Sequence, residues 1–133
     1  MRSLLEQLDE LIEREGLPWT RRGSDVYVPL WRNDRHHHVH IKREADRYLF
    51  WARAPVPEDL LRPSRRRALI HLTWKRNAEE PFVTFALDES DRLLGQIEQP
   101  AATLDPAELR FHVEHLAREC DRFEYVLTGL DRE

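Results

Sequence analysis

Residues 104–129 read LDPAELRFHVEHLARECDRFEYVLTG, and their spacing decides the fold class. Asp105 is placed as N-cap, Pro106 as the first helical residue and Glu108 as the third. This is a capping box, with Leu104 in position to staple onto Leu109. Leu109, Val113, Leu116, Cys120, Phe123 and Leu127 then recur at steps of four and three, the pattern of one buried helical face. Gly129 and Leu130 mark the expected end. At ~1.5 Å per residue, residues 106–128 span ~35 Å, against ~17 Å for a five-residue strand. A helix of that length is expected to overhang a sheet and meet a further surface.

Working back from it, residues 82–87 and 93–98 read as a hairpin around the acidic turn Asp88-Glu89-Ser90-Asp91, with Gly95 as a bulge. Pro55, Pro57 and Pro63 break the chain before a helix that Ser64 caps, running to about Arg76 and closed by Asn77. Its apolar residues Ala68, Leu69, Ile70, Leu72 and Trp74 form a broad stripe. At the other end, Ser3 and Glu6 form a second capping box, followed by Leu4, Leu5, Leu8, Leu11 and Ile12 on one helical face. Gly16 supplies a left-handed cap and Pro18 blocks continuation.

Between these helices the period is two. Val26, Val28 and Leu30 point one way, and Tyr27, Pro29 and Trp31 the other. Pro29 lacks the amide a central ladder needs, which places it at a sheet edge or bulge. Asn33-Asp34-Arg35 turns into a strand over 36–42, and Glu44-Ala45-Asp46 into another over 47–54. There Tyr48 and Phe50 share one face, Leu49 and Trp51 the other, so both faces are expected to be at least partly covered. The reading is a single α+β domain over residues 1–133, in the order α-β-β-β-α-β-β-α, with a five-stranded antiparallel sheet.

Composition narrows the class. Hydrophobic residues make up 41% and charged residues 35% of the 133, with 4 Gly and 8 Pro; this excludes collagen-like, low-complexity and membrane-spanning chains. The net charge of −4 hides a split. Residues 1–76 carry sixteen basic and eleven acidic side chains, and residues 77–133 five and fourteen. The two parts are expected to face each other within the fold or across a dimer. One cysteine cannot form an internal disulfide, and Glu6, Asp9, Glu10 and Glu13 interrupt the N-terminus where a signal peptide needs an apolar stretch, so a cytoplasmic protein is expected.

Candidate chemistry is sparse. His36, His38 and His40 share one strand face, but no Cys or carboxylate sits at ligand spacing inside that strand. The row reads as a solvated, pH-sensitive face and no metal is expected, with a metal- or pH-sensing module built on these histidines as a third reading. Cys120 falls on the buried seam and reads as a core thiol. No phosphate loop, nucleophile elbow or zinc-type cysteine pairing occurs, so neither catalytic residues nor cofactors are expected. The stretch from Leu61 to Arg76 contains Arg62, Arg65, Arg66, Arg67, Lys75 and Arg76 and not one acid. Arginines at a helix start oppose the helix dipole, so either the turn frays or an anion or carboxylate compensates. With Trp74 nearby, the cluster also suits phosphates and a stacked base. Trp31 and Trp51 join Tyr27 on one sheet face, an aromatic surface suited to another polypeptide.

The element order and the 104–129 stretch, in particular Leu104-Asp105-Pro106, Leu109, Ala117, Asp121 and Leu127, resemble the YbjN family and, more broadly, the type III secretion chaperone-like fold. The resemblance implies helices packed on one face of the sheet, assembly as a homodimer, and a non-catalytic role in holding partner proteins or in stress-response regulation. The expected function is therefore that of a dimeric, chaperone-like adaptor or regulator whose protein client, of unknown identity, is bound by Tyr27, Trp31, Trp51, Arg65, Arg66, Arg67 and Trp74. The alternative is an accessory factor of nucleic-acid metabolism, contacting single-stranded nucleic acid or a protein that handles it through the arginine-rich helix.

Overall fold

A computed structural model describes residues 2–30 and 35–131. Trp31, assigned above to the sheet surface, lies outside the described residues, as do Asn33 and Asp34 of the expected turn.

The N-terminal helix α1 (Leu4–Asp9) starts as its capping box requires, with Ser3 Oγ accepting from the Glu6 amide at 3.1 Å. It ends in a π-helical turn over Glu10–Arg14, closed by the Glu15 amide on the Glu10 carbonyl at 3.1 Å. Leu4, Leu8 and Leu11 are buried; Leu5, expected with them, sits at the rim of the stripe and stays exposed. Gly16, at φ +69°, turns the chain so that the Leu17 amide reaches the Leu11 carbonyl at 3.2 Å.

Among the described residues six strands follow where five were expected, in the spatial order β1-β2-β3-β4-β6-β5 with every pairing antiparallel. The extra strand is β1 (Thr20–Arg22), which folds back on β2 (Asp25–Leu30) through Gly23 at φ +62°. Three residues, two of them arginine, carry no period that a sequence reading can detect. The Thr20↔Tyr27 pairing marks where β1 begins, so Pro29 lies beyond it and β2 is locally the sheet edge there. The rest of the sheet is β3 (Arg35–Glu44), β4 (Arg47–Ala54), β5 (Thr84–Leu87) and β6 (Leu93–Pro100).

All helices pack on one face. α3 (Pro106–Asp131) begins where its box predicts, with Asp105 Oδ1 accepting from the Glu108 amide at 2.8 Å. It crosses β2, β3, β4 and β6 and meets α1. Its six seam residues are fully buried against Val26, Val39, Phe50, Ala52 and Leu93. Gly129 does not stop it; the helix runs on to Asp131. Gly95 is not a bulge but holds regular register opposite Ala52 and Phe85. A methyl there would come within 3.0 Å of Cys120 Sγ and of Phe85 Cε1, so the missing side chain is what lets α3 approach the sheet.

The middle helix α2 (Pro63–Glu79) has Pro63 in its first turn and continues past Asn77. Asn77 is a bridge rather than a terminator: its side-chain amide donates to the Phe85 carbonyl at 2.8 Å and its oxygen accepts from the Phe85 amide at 2.7 Å. This satisfies the outward backbone groups of Phe85 on edge strand β5, which ends the sheet order among the described residues.

Among the described residues, no helix lies on the other sheet face. The coverage expected for Leu49 and Trp51 comes from neighbouring side chains on the same face.

Candidate functional site

Register builds a continuous row of rings across the uncovered face. Tyr27 on β2 lies directly opposite His38 on β3, and His40 lies directly opposite Trp51 on β4. Strand alternation puts His38 and His40 side by side. The resulting stack has centroid separations of 4.4 Å for Tyr27–His38, 3.8 Å for His38–His40 and 3.8 Å for His40–Trp51. Each ring is half-buried by its neighbours, so the stack is ordered before anything binds to it.

Asp25 completes this row. One step beyond the Val26↔Val39 pair, it comes opposite His40, with Oδ1 at 3.1 Å from His40 Nδ1 and Oδ2 at 3.4 Å from His38 Nε2. Burial and the neighbouring His38 lower the His40 pKa below the usual histidine value despite the Asp25 carboxylate, so its imidazole is neutral at neutral pH. Beside the stack is an open depression of about 460 Å³, lined in part by His36, His38, His40, Trp51, Arg53 and Leu94.

A second exposed surface lies on the helices. Trp74 is 68% exposed and Ile70 51%, both on α2, and His71 stacks near Trp74 with centroids 6.3 Å apart. Phe82 and Phe111 stay outside the core, meeting edge-on at 5.5 Å, with His115 stacked flat on Phe111 at 5.1 Å. Tyr125, further along α3, is 70% exposed.

The arginine cluster is largely neutralised within the fold. Asp59, in a 3₁₀ turn ahead of α2, takes Arg62 at 3.3 Å and Arg65 at 3.0 Å. Arg66 pairs with Asp91 at 2.7 Å, and Arg76 with buried Glu119 at 2.5 Å. A carboxylate thus offsets the unfavourable arginines at the helix start, as the dipole argument requires. Two of these pairs join the basic first part of the chain to the acidic second part. Arg67 and Lys75 remain exposed with no ion-pair partner among the described residues.

Of the residues singled out from sequence, Tyr27 and Trp51 therefore sit on the ring stack, Arg65 and Arg66 in ion pairs, Arg67 and Trp74 in the open. Asp25, Phe82, Phe111 and Tyr125 escaped the sequence reading. Phe111 and Tyr125 were detectable as large rings off the buried seam of α3, whereas Asp25 needs the β2–β3 register. Cys120 is a core thiol: burial pushes its pKa up to about 12, and its Sγ lies 3.8 Å from the Ala52 carbonyl oxygen.

The YbjN family model, described as "Putative bacterial sensory transduction regulator", matches residues 4–127. The chain belongs to this family. YbjN from E. coli superposes with a TM-score of 0.62 at 17% identity, covering 96% of this chain and 92% of that one. The Yersinia pestis type III secretion chaperone SycH, solved with a stable fragment of YscM2, gives 0.57 at 14% identity over 89% and 97%. The ExoT–SpcS complex from Pseudomonas aeruginosa gives 0.56 at 19% over 92% and 98%. At such identities the likeness establishes a shared fold. Curated protein sequences give no match. Among the described residues of this YbjN-family chain, no helix is long and apolar enough to cross a membrane.

Proposed function

We propose that this YbjN-family chain is a non-catalytic, chaperone-like protein-binding module that acts in the cytoplasm as a homodimeric adaptor or regulator in a bacterial stress response. The observation that carries the reading is the aromatic surface left outside a well-filled core: Trp74, Phe82, Phe111 and Tyr125 on the helix side, and the Tyr27–Trp51 stack on the sheet. Aromatic side chains that protrude over a rigid frame are what protein interfaces are enriched in. Support also comes from the fold, which is shared with a chaperone solved while holding a piece of another protein.

Arg67 and Lys75 add positive charge beside Trp74, which favours clients with acidic segments. The nucleic-acid alternative is less favoured, because Asp59 and Asp91 already occupy the arginines that would hold phosphates.

Affinity purification from the native cell, comparing the unmodified chain with Trp51→Ala and Trp74→Ala, tests the reading. A defined set of proteins should be captured and at least one substitution should deplete it. An identical list from all three chains, or none, overturns the proposal. Light scattering should give twice the 16.0 kDa chain mass; a particle of single-chain mass refutes the dimer.

A further inference from the structure

We propose that Asp25, His38 and His40 form a binding site for a divalent transition-metal ion of the zinc class on the uncovered sheet face. The donor set is two imidazoles and a carboxylate, the combination that suits such an ion. The three ligand atoms lie within 4.8 Å of one another. A tetrahedral ion with metal–ligand bonds of about 2.0–2.1 Å sets its ligand atoms about 3.3 Å apart. Asp25 stands at 3.1 Å from His40 through Oδ1 and at 3.4 Å from His38 through Oδ2, close to that separation.

Three further observations point to a ligand. His38 Nε2 is shut off from solvent and makes no hydrogen bond, although it faces the Asp25 carboxylate. A buried nitrogen without a partner is costly, and an ion between it and the carboxylate removes that cost. Secondly, Tyr27 and Trp51 stack on the two imidazoles from either side and so limit the motion of the rings. Thirdly, no lysine or arginine pairs with Asp25 among the described residues, so its negative charge is available. His38 and His40 also line the open depression shared with His36 and Arg53, which gives an ion access to the cluster.

The other cluster of this kind, Glu80, His115 and Glu119, fails the same criteria. Arg76 and Arg122 occupy Glu119, while the Phe82 amide donates to Glu80 Oε1. A cation placed there would sit against two guanidinium groups.

The test uses the full chain without a histidine tag, stripped with a chelator and titrated with Zn²⁺ by calorimetry and with Co²⁺ by visible absorption. One equivalent of Zn²⁺ should bind, Tm should rise with Zn²⁺ concentration, and Co²⁺ should give the intense bands of a tetrahedral site. Asp25→Asn and His38→Asn should each weaken binding about tenfold or more, whereas Glu80→Gln should leave it unchanged. Asp25→Asn preserves shape on a half-exposed side chain, so loss of binding in that variant is not loss of fold. Absence of Zn²⁺ binding to the unmodified chain overturns the proposal, as does binding that survives both substitutions.

Discussion

The two faces of the sheet use the same residue types for opposite ends. On the helix side, His115, Glu80 and Glu119 meet Arg76 and Arg122, and both carboxylates are engaged within the fold. On the uncovered side, His38, His40 and Asp25 meet one another between two aromatic rings with no cationic side chain beside Asp25 among the described residues, and His38 Nε2, 3.4 Å from Asp25, makes no hydrogen bond. The first arrangement fixes α2 and α3 to each other. The second spends little on stability and leaves chemistry available at the surface. The difference lies in what surrounds the carboxylates rather than in the donors themselves.

Removing one carboxylate from each side should have unequal effects. Glu119→Gln leaves the Arg76 guanidinium, 17% exposed, without its partner, and should lower unfolding free energy by about 3–5 kcal/mol in urea titrations. Asp25→Asn, measured without metal, should cost less than about 1 kcal/mol, because its partners are half-exposed. Similar losses from the two would show that the faces do not differ in this way.

Gly95→Ala comes next in size. The added methyl meets Cys120 and Phe85 at 3.0 Å and Leu116 at 3.2 Å, so destabilisation of roughly 1–3 kcal/mol is expected from thermal or urea unfolding. An unchanged midpoint would mean that the close approach of α3 to β6 is not needed.

The smallest effect concerns pH. Burial, and secondarily His115, lower the pKa of His112, whose Nε2 pairs with Gln99 Oε1 at 2.8 Å. A histidine depressed in the fold contributes stability that is present above its unfolded pKa of about 6.5 and is lost as pH falls below it. Urea midpoints measured at pH 7 and pH 5 should therefore drop less for His112→Gln than for the unmodified chain. An equal drop would remove His112 from the acid response.

The helix-covered face was readable because its information is local. The α3 seam repeats at helical steps, its cap chemistry sits in consecutive residues, and α3 forms where those signals place its start. Where local signals ran out, the reading stopped short. Asn77 looks like a helix terminator but is recruited by Phe85, and β1 is too short to show a period. On the uncovered face the decisive facts are cross-strand ones. The histidine row was visible, but the carboxylate that completes it comes from Asp25 on the neighbouring strand, and only the register brings the two together. The arginines were likewise legible as a cluster, while their partners Asp59 and Asp91 became apparent only with the turns folded.

Footprinting by hydrogen exchange, on the chain alone and with a captured client bound, locates the surface that recognises another protein. Slowed exchange should fall on α2 around Ile70 and Trp74, or on β4 around Trp51, with no new protection at the buried seam of α3. Protection confined to other parts of the chain, or none at all, would contradict the claim that these exposed aromatic surfaces recognise another protein.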